Sequence, residues 1–152
     1  MPLIIDMRQG DKLIINGAVV ENAGQHAKLV FHNEAAVLRE KEVLTEDQSA
    51  TPATRVYFAL QCAYLFPFHA EEHIAKFHRF AEDYVQAAPS AADLVQAMKE
   101  DVAAGRLYPA LRKGQKLVLH QREVLAEFQD QLARFYAQLE EVDESAESGR
   151  EE

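Results

Sequence analysis

Apolar residues recur at every second position between Leu3 and Leu38, and turn-forming residues separate the short apolar runs. This period is typical of half-buried β-strands. Several short antiparallel strands with one polar face indicate a small barrel or a sandwich. Five strands are predicted. The first three are Leu3–Arg8, Lys12–Ile15 and Ala18–Glu21. In the fourth, Ala27, Leu29 and Phe31 face the core, and the fifth is Ala35–Leu38.

The apolar period lengthens to that of helices after the β region. Thr51 followed by Pro52 is a helix start, because threonine can cap the first free N–H groups and proline needs no donor there. The next residues, to Phe66, are apolar on nearly all sides and predict a buried central helix. Two more helices are predicted at about His69–Ala88 and between Ser90 and Gly105. The fold class is therefore α+β, with a β module at 1–45 and a helical bundle at 46–142.

The last predicted helix is the longest and has a seven-residue apolar repeat. The repeat consists of Leu111, Val118, Leu125, Leu132 and Leu139, with Phe128, Phe135 and Val142 three residues beyond its later members. This spacing keeps one stripe facing another helix. The first half is interpreted as bundle core, and Leu125, Phe128, Leu132 and Phe135 as a seam for a partner helix in the same chain or in another one.

The negative charge is concentrated at the C-terminus. The formal net charge is −9, and residues 140–152 carry seven acidic residues against one arginine, which leaves −3 for the other 139 residues. Such a chain has no general electrostatic attraction for nucleic acid, so any nucleic-acid site must be local. The tail at 143–152 lacks large apolar residues and is predicted to be disordered.

Composition favours a cytoplasmic protein that needs no disulfide. The single cysteine, Cys62, lies in the apolar run FALQCAYLF and is interpreted as a small buried hydrophobe. The N-terminal apolar run contains Asp6 and has no cleavage-like site, so it is not a secretory signal. No run is long enough to span a bilayer, and no membrane partner is expected.

The strongest catalytic pattern is HAEEH, where His69 and His73 lie four residues apart and Glu72 precedes the second histidine. It matches a short zinc-peptidase pattern. The alternative is a solvated first helical turn whose glutamates complement the helix dipole, and it is preferred because a third ligand is missing. Glycine-rich phosphate loops and nucleophile motifs are also absent from the sequence. We expect no enzyme, no metal and no cofactor.

Four motifs occur in an order that resembles the FlbT family of flagellum biosynthesis repressors: GDKLIINGAVV, VLREK, TPATRVYF and RLYPAL. The chain departs from the family pattern at Thr54, where an arginine is usual, so only Arg55 supplies a cation there. The resemblance implies a post-transcriptional repressor that associates with the 5′ untranslated leader of flagellin mRNA. The alternative is a protein-binding adaptor whose helices hold flagellin or a FlaF-type partner.

The N-terminal segments also resemble the carbon storage regulator family of mRNA-binding repressors. LIIDMRQGDKLIIN is similar to the start of that family, and VLREKEV to its VHREEI segment. The resemblance implies that the two segments lie side by side in a domain-swapped dimer and hold an RNA loop partly through backbone contacts. Carried over by position, Ile5, Arg8 and Arg39 stand at contact residues, whereas Met7 replaces a basic residue.

A few converging cations suffice for a single-stranded loop, since base edges and stacking dominate its recognition. The candidate cations are Arg8, Lys28, Arg39, Lys41 and Arg55. The alternative is that Arg39 and Lys41 pair with Glu34, Glu40 and Glu42 on a solvated edge. We also expect a homo-oligomer, formed by strand exchange or through the seam, because bare edges and bare apolar stripes are both unfavourable.

Deleting residues 144–152 should leave the melting temperature unchanged, because nothing in that stretch can bury apolar area. The measurement is thermal unfolding of the full and the shortened chain under the same conditions. A drop of several degrees in the shortened chain would show that the tail packs against the folded protein.

Overall fold

The computed structural model describes residues 2–149 and has an antiparallel β region followed by helices. The strands are β1 Leu3–Met7, β2 Lys12–Ile15, β3 Ala18–Glu21, β4 Ala27–Phe31 and β5 Val37–Arg39. The helices are α1 Pro52–Leu65, α2 Ala70–Ala87, α3 Ala92–Ala103 and α4 Leu107–Ser148. Short 3-10 helices occupy Glu40–Glu42, Glu46–Gln48, Pro67–His69 and Pro89–Ala91. The predicted α+β class is confirmed.

The strands form two small antiparallel sheets, in the orders β1-β4 and β3-β2-β5. Side chains from both sheets share one apolar cluster of Ile5, Met7, Leu13 and Val37. Leu29 and Phe31 of β4 pack against that cluster as predicted, whereas Ala27 is exposed at the strand end. Of the two predicted alternatives, this packing of two sheets on a common core corresponds to a sandwich.

Two strand boundaries differ from the prediction because side chains of turn residues bind the backbone. β1 ends at Met7, since the Arg8 N–H donates to Asp11 Oδ2 at 2.8 Å. β5 begins at Val37 because the Ala36 N–H donates to Asn16 Oδ1 at 2.9 Å and the Asn16 N–H donates to the Ala36 carbonyl at 2.8 Å. The end of β5 also differs from the prediction, since Arg39, one residue beyond the predicted end at Leu38, lies inside β5 and pairs with Leu13 of β2.

The β2–β3 turn has little room for any residue except glycine at its second position. Asn16 and Gly17 have φ values of 51° and 86°, the left-handed conformation that tight hairpin turns require. A Cβ added to Gly17 would lie 3.2 Å from a ring carbon of Phe66. The hairpin turn therefore packs directly against the C-terminal end of α1.

α1 is the buried central helix that the sequence predicted. Thr51 caps it, accepting from the Thr54 N–H at 3.3 Å, and Pro52 is its first residue. Ala53, Val56, Leu60 and Ala63 are all at most 1% exposed. Before α1, the Thr45 N–H donates to Gln48 Oε1 at 3.0 Å at the start of the 3-10 helix Glu46–Gln48.

Three polar side chains on one face of α1 bind the backbone of the segment 37–44. The Leu44 N–H donates to Gln61 Oε1 at 2.8 Å, and Gln61 Nε2 donates to the Leu44 carbonyl at 2.9 Å. One turn further on, the Val37 N–H donates to Tyr64 Oη at 3.0 Å, and one turn back the Tyr57 hydroxyl donates to the Glu42 carbonyl. The spacing i, i+4, i+7 places all three on the same face of the helix.

By contacts the chain divides into two compact units, residues 1–117 and 118–152. In the first unit α4 buries Ala110, Leu111, Gly114 and Leu117, which agrees with the interpretation of its first half as bundle core. A Cβ on Gly114 would lie 3.1 Å from the Tyr57 ring, so glycine permits close approach of the two helices. The predicted boundaries at residues 45 and 142 stay predictions.

In the second unit α4 continues to Ser148, although the sequence predicts disorder from residue 143. The helical part of this stretch is DESAES, in which two glutamates and one alanine favour helix, and it directly continues the preceding turns of α4. Every residue from Arg122 to Gly149 is exposed. Residues 150–152 of the predicted tail lie outside the described residues.

Replacing Gln61 with leucine should lower the free energy of unfolding by about 1–3 kcal/mol, because the Leu44 N–H and carbonyl then lose their side-chain partner. The measurement is urea denaturation, in which the midpoint falls while the slope is unchanged. Gln86→Leu, on an exposed position of α2, is the matched control. Equal midpoints for the two variants would contradict a stabilising role for the Gln61 hydrogen bonds.

Candidate functional site

A concave surface of about 500 Å³ lies where β1 and the end of β5 come together. Its lining consists of residues 5–7, residues 11–13 and residues 39–41. β1 and β5 are each the outermost strand of their sheet, so each has one edge without a neighbouring strand among the described residues. Each of the three segments contributes three consecutive residues to the lining. Because side chains alternate between the two faces of a strand, consecutive residues indicate that the backbone also lines the surface. We call this surface the edge concavity.

The edge concavity has three cations and three carboxylates. Lys12, Arg39 and Lys41 are the cations, and their formal charge equals that of Asp6, Asp11 and Glu40. None of the three cations forms an ion pair within 4 Å in residues 2–149. The predicted alternative, pairing of Arg39 and Lys41 with Glu34, Glu40 or Glu42, is therefore not present among those residues. The surface is formally neutral but carries exposed arginine and lysine side chains.

Arg39 is positioned by contacts of its backbone. Its N–H donates to Glu42 Oε1 at 3.1 Å, and Glu42 Oε2 accepts from the Tyr108 hydroxyl at 2.9 Å. The carbonyl of Glu42 accepts from Tyr57, as described above. Burial and the neighbouring Glu42 both raise the pKa of Tyr108, so its hydroxyl stays protonated and able to donate. The arginine side chain itself is left exposed at the rim.

The structure brings some of the sequence-predicted RNA contacts together and separates others. Arg39 and Lys41 line the edge concavity with Ile5, whereas Arg8 is exposed just beyond β1 and does not line it. Lys28 lies opposite Asp6 on β4. Arg55 is exposed on the first turn of α1, also outside the lining.

The interpretation of Ile5 as an RNA contact stays a prediction, and the burial of its side chain limits how the residue can contribute. Its side chain is only 4% exposed and belongs to the core shared by the two sheets. A residue at this position can offer a ligand only its backbone N–H and carbonyl. The reason is the strand period, which turns residues 5 and 7 inward and Asp6 outward.

Lys12 is a lining residue that the sequence interpretation missed. It directly precedes the buried Leu13, so the alternation of β2 turns its side chain away from the core. Its position at the strand start, next to the turn that follows β1, was the available signal. The sequence interpretation instead chose five other cations, Arg8, Lys28, Arg39, Lys41 and Arg55.

The RLYPAL motif builds structure around a buried carboxylate. Asp101 is 5% exposed and accepts from Arg106 Nε at 3.2 Å, from Arg106 Nη2 at 3.1 Å and from Lys113 Nζ. The hydrogen bonds from Lys113 and Arg106 hold the pKa of Asp101 below its ordinary value. This cluster joins the end of α3 to the start of α4, from which Tyr108 reaches Glu42.

Two other candidate features do not form sites. In residues 2–149 no group of three or more histidine, cysteine, aspartate or glutamate side chains could hold a metal ion, and Glu72 of HAEEH lies 3.9 Å from Lys76. Burial raises the pKa of the Cys62 thiol, which keeps it in the unreactive protonated form. No helix in the described part of the chain is long and apolar enough to cross a membrane.

The structure defines an α+β protein with a concave surface at exposed strand edges. Residues 3–125 match the family described as "Flagellar protein FlbT". The chain belongs to this family, so the membership expected from the sequence motifs is confirmed. No solved structure matches. α4 continues to Ser148, beyond the end of the match.

Curated relatives include the "Probable flagellum biosynthesis repressor protein FlbT" of Caulobacter vibrioides strain NA1000 / CB15N. It is 34% identical over 127 residues, 82% of this chain and 90% of the relative. A relative with that description from Bradyrhizobium diazoefficiens, numbered FlbT 1, is 29% identical over 130 residues, 85% of this chain and 88% of the relative. One from Brucella ovis is 32% identical over 111 residues, 71% of this chain and 72% of the relative.

The Asp101 cluster should make stability depend on pH in acid. The pKa of Asp101 is lower in the folded than in the unfolded protein. The charged carboxylate therefore contributes to the free energy of unfolding above the ordinary pKa of 3.8, and this contribution is lost as the pH falls through the pKa of the folded protein. Asp101→Asn should therefore destabilise the protein at about pH 7 and progressively less towards about pH 3. Denaturant unfolding of both forms across this range measures the difference, with the exposed Asp93→Asn as control. A difference independent of pH would contradict the role of the charge.

Proposed function

We propose that this protein is a post-transcriptional repressor of flagellin synthesis that binds the 5′ untranslated leader of flagellin mRNA and lowers its translation or stability. The observation that carries the proposal is the edge concavity, where β1 lies beside Arg39 and Lys41. The relatives named as flagellum biosynthesis repressors support the regulatory role. The proposed place of action is the cytoplasm, where mRNA is translated.

The binding mode follows from the edges and the cations. A single-stranded RNA loop can turn its bases outward, and their edges can pair with strand N–H and carbonyl groups at an unpaired β edge. Ile5 and Met7 contribute through the backbone, since both side chains are buried. The cations of the edge concavity, Lys12, Arg39 and Lys41, contact phosphates or base edges. The hydrogen bond from the Arg39 N–H to Glu42 holds the backbone from which the Arg39 side chain extends.

The formal neutrality of the edge concavity limits how the protein finds its target. Without an excess of positive charge, binding to arbitrary nucleic acid gains little from counterion release. Affinity then depends on hydrogen bonds and stacking with particular bases. The protein is thus proposed to bind a specific RNA loop, with an affinity that depends only weakly on salt. It regulates by occupying the leader and not by catalysis.

The competing function is a protein-binding adaptor for flagellin or a FlaF-type partner. The observation that favours it is the apolar stripe of α4, where Leu125, Phe128, Leu132 and Phe135 are between 38% and 56% exposed. In that case the effect on flagellin mRNA is indirect. The two functions differ in which residues they require, so one set of variants separates them.

Titrating the purified protein with the flagellin leader should give saturable binding whose logarithm falls with the logarithm of salt at a slope of about −2 to −4. Arg39→Ala should weaken binding by about 1–3 kcal/mol if this residue contacts a base edge. Arg55→Ala removes the same charge from α1, outside the edge concavity, and should have a smaller effect. A shuffled leader of equal length is the RNA control.

Two outcomes would contradict direct binding at this surface. The first is affinity that is the same for the flagellin leader and the shuffled RNA. The second is an Arg39→Ala variant that binds and represses normally while truncation of Phe128 and Phe135 abolishes repression in cells. The second outcome would establish the adaptor function.

A further inference from the structure

The second half of α4 is a helix whose large apolar side chains are exposed in the described chain. From Arg122 onward every side chain is exposed up to Gly149. Six large apolar residues nevertheless lie on one stripe, spaced alternately three and four residues apart: Leu125, Phe128, Leu132, Phe135, Leu139 and Val142, which are 38–62% exposed. We call this stripe the α4 seam.

A helix of this kind is unfavourable by itself. Most helical stability in water comes from packing an amphipathic face, and an isolated helix with no buried side chain is only marginally stable. The strict 3–4 alternation averages 3.5 residues, the period of a two-helix coiled coil, whereas a helix on a globular core usually has a wider apolar face. The pattern therefore calls for one long partner helix.

We infer that the α4 seam pairs with the α4 seam of a second copy of this chain, in the antiparallel orientation. Charge favours this orientation over the parallel one. The far end of the seam carries five carboxylates, Glu140, Glu141, Asp143, Glu144 and Glu147, whereas its near end carries Arg122 together with Glu123 and Glu127 and is much less acidic. Parallel pairing places two acidic ends side by side, and antiparallel pairing places each of them beside the partner's Arg122.

The side-chain sizes along the α4 seam favour the same orientation. Antiparallel pairing centred between Leu132 and Phe135 forms three kinds of layer: Leu125 with Val142, Phe128 with Leu139, and Leu132 with Phe135. Each phenylalanine then faces a leucine, so the layers are similar in volume. Parallel pairing instead stacks phenylalanine on phenylalanine and leucine on leucine, which gives layers of unequal width.

The residues flanking the α4 seam are compatible with this register. Arg122 of one copy falls opposite Asp143 of the other, and Gln129 falls opposite Tyr136. Gln131 and Gln138 face each other, so the centre has no like charges in contact. One stretch of sequence is thus complementary to itself under a two-fold rotation, which is the property of an isologous homodimer interface.

The area is sufficient for a stable dimer. Pairing covers twelve large apolar side chains, six from each copy, that are now about half exposed. Together with the stems of the flanking glutamines this corresponds to an interface on the order of 1,000 Å², the lower limit for specific association. Most of the α4 seam lies beyond residue 125, where the family match ends, so the inference rests on residues outside that match.

Sedimentation of the full chain at micromolar concentration should show a dimer. Leu132→Glu places a charge in the central layer and should raise the dimer dissociation constant at least about 100-fold. Ala137→Glu, on the opposite side of α4, adds the same charge outside the seam and should leave the dimer intact. A monomeric parent protein, or a Leu132→Glu variant that dimerises as tightly as the parent, would overturn the proposal; the second result would point to strand exchange in the β module.

Disulfide trapping tests the orientation. In a Cys62→Ser background, a mixture of Leu125→Cys and Val142→Cys chains should form cross-linked heterodimers, because antiparallel pairing puts these residues in one layer. Leu125→Cys alone should not cross-link, since the two cysteines are then about 26 Å apart along the axis. The opposite pattern would show parallel pairing, and cross-links in neither sample would exclude the α4 seam as the interface. RNA binding plays no part in either test, so they succeed or fail independently of the proposed function.

Discussion

The rest of the structure depends on the hydrogen bonds by which α1 holds the segment 37–44. A buried helix ordinarily presents apolar side chains, but one face of α1 presents Tyr57, Gln61 and Tyr64 to backbone groups. The segment they hold joins the strands to the helices and includes β5, Arg39 and Glu42. The same contacts therefore fix the end of the β module, the start of the helical region and one wall of the edge concavity.

The edge concavity does not depend on an excess of positive charge for the proposed RNA specificity. The protein as a whole is acidic, and the edge concavity is formally neutral. The surface consists of two strand edges with a few long cations at the rim. In the proposed function, such a surface selects an RNA by whether its hydrogen-bonding groups match those of the strand edges, because unmatched polar groups remain costly on binding.

Much of the fold could be predicted from the sequence because local signals agree with it. The Thr51–Pro52 start of α1 and the Asn16–Gly17 turn are local, and both are where the sequence places them. The family motifs identified the two segments that meet at the edge concavity. Contacts between segments that are distant along the chain were harder to predict from the sequence. The two hydrogen bonds of Gln61 to Leu44 span 17 residues, and nothing in the period of α1 marks that glutamine as a backbone ligand.

The role of individual site residues was the least predictable part, for the same reason. Carrying contacts over by position made Ile5 a ligand, although its alternation with Asp6 turns it into the core. The resemblance to the carbon storage regulator family places no RNA contact at Lys12, and this residue was not among the predicted cations. The end of α4 also differed from the prediction: apolar patterning ends this helix where the large apolar residues stop, whereas the helix continues through the polar stretch DESAES to Ser148.

The contact between Gly17 and Phe66 couples the β2–β3 turn to the end of α1. A side chain at residue 17 meets both a strained backbone conformation and the Phe66 ring, and the strain persists even if the ring is made smaller. A larger residue at position 17 therefore disturbs the turn and displaces the Phe66 ring at the same time. Damage to one small hairpin is in this way transmitted to the helix on which the segment 37–44 depends.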